Sequence, residues 1–178
     1  MSTGKQLALF FAVAACIVAG FDALAEERTV NAYAPWEGRG QIYPTGVNQA
    51  TFVGAFSGVM FVESEGNLVS TGNMICPGVI DINLDDGSQT GVGKCTLSNA
   101  EGERIFAEWT CVGTHFVGCD GTFRLVSGTG EYKGVSGEGN FLIRSGLHAA
   151  AASFGGNIVQ RAASGLAIWR DFRFKIPD

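Results

Sequence analysis

Short apolar segments separated by turn-forming residues make up the middle of the chain. Five such segments occupy residues 74–84, 91–97, 104–110, 122–126 and 139–143. The turns between them include Asp85-Asp86-Gly87 and Asn99-Ala100-Glu101-Gly102. Apolar and polar positions that alternate between turns at this spacing are typical of an antiparallel sheet. The pattern therefore predicts an all-β fold built from hairpins.

Two longer segments flank this series. Thr51–Glu63 is apolar on both faces, with Val53 on one and Phe52 on the other. A strand of a single-layered antiparallel barrel should be polar on its outer face. We therefore expect this face to be covered by an N-terminal arm or, as the favoured interpretation, by another subunit of a homotrimer. Residues 158–174 predict a last long strand.

The length and charge of the chain limit its domain organisation and its partners. A chain of 178 residues predicts one domain. Residues 26–48 contain two prolines and several glycines and predict an extended arm, whereas residues 49–178 are expected to form a β-barrel domain. The net charge is −5 and no basic cluster occurs. Nucleic acid is therefore not an expected partner.

The first 25 residues have the features of a signal peptide. Lys5 supplies the positive flank, Leu7–Gly20 the apolar run and Ala23-Leu24-Ala25 the cleavage site, which gives a mature chain from Glu26. The sequence around Cys16 also fits a lipoprotein signal in which that cysteine carries the lipid. Both interpretations predict export, to the periplasm or the medium, and no membrane span is expected in the mature chain.

The mature chain contains four cysteines, Cys76, Cys95, Cys111 and Cys119. In an oxidising compartment these predict two disulfides, for which three connectivities exist. A two-residue turn at Asp85-Asp86 sets Cys76 opposite Cys95. A turn centred on His115 sets Cys111 opposite Cys119, so both pairs lie within disulfide reach. We expect these two disulfides. No CxxC motif occurs, and neither a metal nor another cofactor is expected.

The same register sorts the side chains into two faces. The expected interior face collects Val79, Val92, Ile105, Ala107, Trp109, Phe123 and Leu125, together with Asp81 and Lys94. A charge among apolar residues must be paired, hydrated or functional. Asp81 is therefore a candidate acid/base group or ligand anchor. The candidate ligand-binding residues are Trp109, Lys94, Phe123, Val79 and Val92. The alternative is a register slip that leaves Asp81 and Lys94 at the barrel rim.

Three further residues have both an ordinary and a functional interpretation. Glu63 ends the long apolar strand and is either a rim residue or a second candidate catalytic carboxylate. Glu108 is either a general base or, as we expect, the partner of Arg124 in an ion pair on the outer face. His115 is expected at a hairpin tip. The chain has only two histidines, and no Ser-His-Asp set is recognisable.

One glycine-rich turn and the strand before it carry a family resemblance. Ser127–Gly139, SGTGEYKGVSGEG, resembles the Gly-Thr-Gly-x-(aromatic)-x-Gly turn of plant dirigent proteins and of the allene oxide cyclase barrel superfamily. Glu101–Trp109 is similar to the strand that precedes this turn in exported bacterial members. The resemblance spans about residues 52–143. It implies an eight-stranded antiparallel β-barrel with a ligand cavity, often assembled as a trimer, and no catalytic residue is carried over from it.

Two functions from different classes follow. The first is an exported barrel that binds a small apolar ligand or serves as an assembly module. Few titratable residues and a Trp- and Phe-lined interior favour it. The second is a cofactor-free cyclase or isomerase resembling its superfamily, in which Asp81 or Glu63 moves a proton or anchors a water. We favour the first function, and whether the protein is an enzyme stays open.

Overall fold

The computed structural model of the chain describes residues 26–146 and 159–177. They form a closed barrel of eight antiparallel strands in sequence order, in which the first strand also pairs with the last. The strands are β1 Glu26–Gly46, β2 Gln49–Ser64, β3 Asn67–Asn83, β4 Ser88–Ser98, β5 Arg104–Thr114, β6 Gly118–Gly128, β7 Ser136–Ser145 and β8 Val159–Ile176. One turn of 3-10 helix, Gly130–Tyr132, lies between β6 and β7. The predicted all-β, eight-stranded antiparallel barrel is confirmed.

The core of the protein lies inside the barrel. Side chains alternate between the lumen and the outer surface along each strand. On β3, for example, Cys76 and Ile82 are buried, whereas Ile75 and Asp81 are exposed. The buried set is dominated by aromatic rings, alanines and the four cysteines. The barrel is therefore a largely filled structure with limited internal space.

Several glycines of the lumen face make room for aromatic rings. A Cβ atom on Gly91 would lie 2.9 Å from the Trp109 ring, and one on Gly38 would lie 2.8 Å from the Phe56 ring. Aromatic side chains that cover a strand glycine in this way stabilise curved sheets. These lumen glycines therefore mark positions where a ring rests against the backbone of a strand.

The expectation that residues 26–48 form an arm outside the barrel is wrong. Residues 26–46 are strand β1, which pairs with β2 on one side and with β8 on the other. Gly38 and Gly40 resemble strand breakers in the sequence. In the structure they face the rings of Phe56 and Phe52 across the lumen side of the sheet. The barrel therefore includes residues 26–46 and is not confined to residues 49–178.

Both predicted disulfides are present. Cys76 is joined to Cys95, with a Cα–Cα distance of 4.0 Å, and Cys111 is joined to Cys119, with a Cα–Cα distance of 5.7 Å. The β3–β4 register is the predicted one. The β5–β6 turn is centred one residue later than predicted, so Cys119 pairs in the ladder with Gly113 and the disulfide runs diagonally. Both sulfur atoms still lie on the lumen face.

A slip of one residue between β4 and β5 reverses part of the predicted face assignment. Ser98 pairs with Arg104, so the connecting loop has five residues, Asn99–Glu103, rather than the four expected. A one-residue shift moves every side chain of a strand to the other face. Val79, Asp81, Val92 and Lys94 therefore lie on the outer surface, and their predicted interior placement is wrong. Trp109 and Phe123 lie in the lumen as predicted.

Some predictions fall outside the described residues. They are the signal peptide of residues 1–25 and the alternative lipid attachment at Cys16. In the described residues, no helix is both long enough and apolar enough to cross a membrane.

Candidate functional site

A layer of aromatic rings crosses the barrel lumen. Trp109 and Phe141 meet edge to face with ring centroids 6.4 Å apart, and Phe123 meets Trp169 in the same way at 5.3 Å. All three tryptophans of the chain are at least nine-tenths buried. Their indole N–H groups have no hydrogen-bond partner among the described residues. These rings are therefore held by packing, which favours offset and edge-to-face contacts.

Two cavities flank this layer, and Phe123 and Trp169 line both of them. The first has a volume of about 350 Å³ and opens at the end of the barrel where Tyr132 lies; we call it the Tyr132 cavity. The second has a volume of about 130 Å³ and opens at the opposite end; we call it the His115 cavity. Ligand pockets typically measure about 300–1,000 Å³. Of these two cavities, lined by described residues, the Tyr132 cavity falls in this range.

The Tyr132 cavity is apolar inside and polar at its opening. Its inner wall consists of aliphatic and aromatic side chains that include Leu97, Ile105, Leu125 and Phe172. The polar residues that line it are Arg28, Thr71, Asn73, Ser98, Asn99 and Tyr132. Apolar walls with a few placed polar groups are the usual composition of a small-molecule site.

Irregularities of the barrel concentrate at this end. Five register shifts interrupt the strand pairings of the described residues, and four of them lie in the half of the barrel that holds the Tyr132 cavity. These four occur between Val30 and Ala32, Met60 and Phe61, Phe106 and Ala107, and Glu138 and Phe141. Bulges bend strands and redirect side chains, and they are common at barrel rims and beside functional sites. They give this end a shape that regular pairing would not produce.

Tyr132 is fixed at the opening by a hydrogen-bond network. The Asn99 side chain accepts from the Glu103 backbone N–H at 2.9 Å and donates to the Glu131 carboxylate at 3.4 Å. The Glu131 backbone N–H donates to the Glu103 carboxylate at 3.2 Å. The turn is closed by the Tyr132 N–H, which donates to the Thr129 carbonyl oxygen. The 3-10 turn and the β4–β5 loop therefore hold each other in place.

The environment of Tyr132 keeps its hydroxyl protonated. Burial raises the pKa of Tyr132 most, and hydrogen bonding with the Glu131 carboxylate raises it further, whereas the Asn99 side chain has the opposite effect. Burial and a neighbouring carboxylate both disfavour the phenolate. At neutral pH this residue therefore carries an uncharged hydroxyl, which already shares hydrogen bonds with Glu131 and Asn99 and keeps a lone pair that can accept from a ligand.

The His115 cavity is smaller and lies beside both disulfides. Gln89 of β4 lines it together with His115 and Phe116 of the β5–β6 turn. His115 Nδ1 lies 3.4 Å from the Gln89 side-chain oxygen, and Gln89 donates to the Gly118 carbonyl at 3.2 Å. An engineered protein cavity of ~150 Å³ binds benzene. A space of about 130 Å³ is therefore suited only to a very compact molecule.

Both predicted catalytic carboxylates lie on the outer surface. Asp81 is exposed, and its carboxylate accepts a hydrogen bond from the Thr51 hydroxyl at 2.7 Å. Glu63 is exposed as well and accepts from the Asn31 amide at 3.2 Å. Neither residue is among those that line the two cavities. An interior-carboxylate mechanism based on either residue has no support in this arrangement.

The remaining predicted site residues divide between the two faces. Trp109 and Phe123 belong to the aromatic layer. Val79 and Val92 are adjacent on the outer face. Lys94 is also outside, with its ammonium 3.7 Å from Glu108, and Glu108 contacts Arg124 at 2.5 Å as expected. The structure thus brings together the two aromatic candidates and separates them from the three others, Val79, Val92 and Lys94.

Residues at the opening of the Tyr132 cavity were missed in the sequence. Tyr132 occupies the aromatic position of the glycine-rich turn, which was interpreted as a mark of the fold alone. The aromatic position of this motif was the sequence feature that could have identified Tyr132 as a site residue. Among the described residues, no group of three or more His, Cys, Asp or Glu side chains is arranged to hold a metal ion.

Comparisons with known proteins concern the fold. No protein-family model and no curated protein matches this chain. Among solved structures, a pterocarpan synthase dirigent protein is similar, with a TM-score of 0.41 and 12% sequence identity over 93% of this chain and 99% of the other. The strand pairings of the chain themselves establish the closed eight-stranded antiparallel barrel that the dirigent resemblance implied. One fold can host many functions, and the residues of the site determine which.

Proposed function

We propose that the protein binds a small, largely apolar molecule in the Tyr132 cavity. The observation that carries this proposal is the combination of a volume of about 350 Å³, an apolar inner wall and a polar opening. Burial of apolar surface contributes about 25 cal/mol per Å². A ligand that packs against the apolar inner wall therefore gains affinity from buried surface, without a charged side chain to anchor it.

The cyclase or isomerase alternative has less support. Asp81 and Glu63, the carboxylates proposed for it, are exposed on the outer face. No charged or polar side chain of the described residues is fully buried. A proton-transfer group must come within hydrogen-bond reach of its substrate. The described lumen favours binding over this chemistry.

A substitution that fills the cavity tests the binding proposal. Val62 lines the Tyr132 cavity, so Val62→Phe should occupy part of it and weaken binding of 1-decanol at least tenfold. Intrinsic fluorescence is a suitable measurement, because all three tryptophans lie in the lumen. Val112→Phe is the matched control, since Val112 is 63% exposed. Equal binding by the two variants would place the ligand elsewhere.

We also propose that the protein functions outside the cytosol. Its two disulfides favour an oxidising compartment, where such bonds form and persist. This supports the predicted periplasmic or secreted location. The predicted signal peptide would supply the export route.

Self-association through the outer face is a separate proposal. Val53, Val79 and Val92 are direct neighbours across three strands, and Val92 is 55% exposed. Contiguous exposed apolar surface often marks an interaction site. The surface suits a homo-oligomer, for which a trimer is the expected state.

Analytical ultracentrifugation tests this assembly. The wild-type protein should sediment as an oligomer, and Val92→Glu should shift it to the monomer because a charge would be buried in the contact. Val117→Glu, on the β5–β6 hairpin tip, is the matched control and should leave the oligomer intact. A wild-type monomer at high concentration would rule the assembly out.

A further inference from the structure

The polar groups at the opening of the Tyr132 cavity indicate what kind of ligand head it accepts. Tyr132 and Asn99 line the opening beside the inner wall formed by residues such as Ile105 and Leu97. A molecule with an apolar body would place any polar end at this boundary. The hydroxyl of Tyr132 and the amide of Asn99 are uncharged donors and acceptors.

The charges around the opening disfavour an anionic head, and loss of hydration disfavours a charged head of either sign. Glu103 and Glu131 lie next to Asn99, and Arg28 lines the same cavity. An anionic head is attracted by Arg28 and repelled by two carboxylates, so these charges disfavour it, whereas they leave a cationic head with a net attraction. A charged head also loses hydration when it approaches an apolar wall. An uncharged polar head avoids both costs.

The hydroxyl of Tyr132 is held where such a head would lie. Tyr132 is half-buried, and its backbone is fixed by the turn that Thr129 and Glu103 anchor. Its hydroxyl is held by hydrogen bonds with Glu131 and Asn99, so it loses little freedom when its remaining lone pair accepts a further hydrogen bond. This preorganisation suits recognition of a single hydroxyl or carbonyl group.

We propose that the Tyr132 cavity binds an uncharged amphiphile, an apolar chain or ring system that ends in a hydroxyl or carbonyl group. The apolar part lies against Leu97, Ile105 and Leu125, and the polar end hydrogen-bonds with Tyr132 and Asn99. This inference rests on the proposed function and adds the chemical class of the ligand to it.

Three ten-carbon compounds that differ only in the head test the proposal: 1-decanol, decanoate and decylammonium. Binding is measured by tryptophan fluorescence and by calorimetry. 1-Decanol should bind most tightly. Tyr132→Phe should weaken its binding roughly two- to tenfold, the effect of one neutral hydrogen bond, with little change for decanoate. Tyr33→Phe is the matched control, because the Tyr33 hydroxyl lies on the outer surface, 3.5 Å from Glu63.

The outcomes separate this inference from the proposed function. Tighter binding of decanoate or decylammonium would overturn the uncharged head, and so would 1-decanol binding that Tyr132→Phe leaves unchanged. In either case the apolar cavity would still bind a ligand, and the proposed function would stand. Failure of all three compounds to bind folded wild-type protein would overturn both. The circular dichroism spectrum and melting temperature of each variant should match those of the wild type.

Discussion

Removal of both disulfides should lower the free energy of unfolding by about 5–6 kcal/mol, if each contributes the entropy of loop closure in the unfolded chain. The two bridges span sequence separations of 19 and 8 residues and link neighbouring strands inside the barrel. A domain of this size is stable by only about 5–15 kcal/mol. The cysteine-free protein is therefore expected to be marginally folded or unfolded at 37 °C. Urea denaturation of the oxidised and reduced forms measures the difference.

The two bridges can be compared separately. Replacing Cys76 and Cys95 by alanine should cost about 3 kcal/mol, and replacing Cys111 and Cys119 about 2.5 kcal/mol, because the longer loop restricts the unfolded chain more. The double-alanine pairs are controls for each other, since all four sulfurs are buried in the same lumen. A larger loss from the Cys111–Cys119 pair would contradict the chain-entropy explanation.

Local patterns predicted the fold class and the disulfides. Alternation of apolar and polar residues is a property of each strand, so it survives errors about neighbouring strands. The short turn at Asp85-Asp86 fixed the β3–β4 register, which places Cys76 and Cys95 together. The Cys111–Cys119 pairing was also right, although its turn was misplaced by one residue. Moving the centre of a turn by one residue shifts the strand pairing by two residues. Such a shift leaves each side chain on its original face.

The location of the candidate carboxylates could not be predicted in the same way. The loop Asn99–Glu103 has an odd number of residues because the Asn99 side chain caps the Glu103 N–H and Gly102 adopts a φ of 83°. The sequence does not distinguish this loop from the four-residue turn that was assumed. The difference of one residue carries Asp81 and Lys94 from the lumen to the outer surface.

The Tyr132 cavity was harder still to anticipate. Bulges near Val30, Met60 and Phe106 shape its end of the barrel, and a bulge adds a residue without changing the alternation in a recognisable way. Glycines and prolines in β1 hid the first strand, and the role of Gly38 and Gly40 depends on rings from the neighbouring strand β2. Such features depend on contacts between strands, which a single-strand pattern does not contain.

The Trp109 ring packs against the backbone of Gly91, and substitutions of these two residues test this contact in the aromatic layer. Trp109→Ala should cost about 3–5 kcal/mol, the usual effect of removing a buried aromatic side chain. Gly91→Ala should cost about 1–3 kcal/mol, because its Cβ would lie 2.9 Å from the ring. The other nearest atoms belong to the side chains of Cys111 and Ile80, at 3.3 and 3.4 Å, so the ring is the main obstacle.

A double-mutant cycle shows whether the two residues act as one unit. In the Trp109→Ala background, the methyl group of Gly91→Ala meets space that the ring has left, so the double variant should cost at least 1 kcal/mol less than the sum of the single variants. Urea denaturation of the four proteins supplies the free energies. Gly46→Ala is the matched control, because its nearest neighbour is the Gln49 side chain at 3.3 Å, outside the aromatic layer. Additive losses for Trp109 and Gly91 would show that the glycine is required by the backbone rather than by the ring.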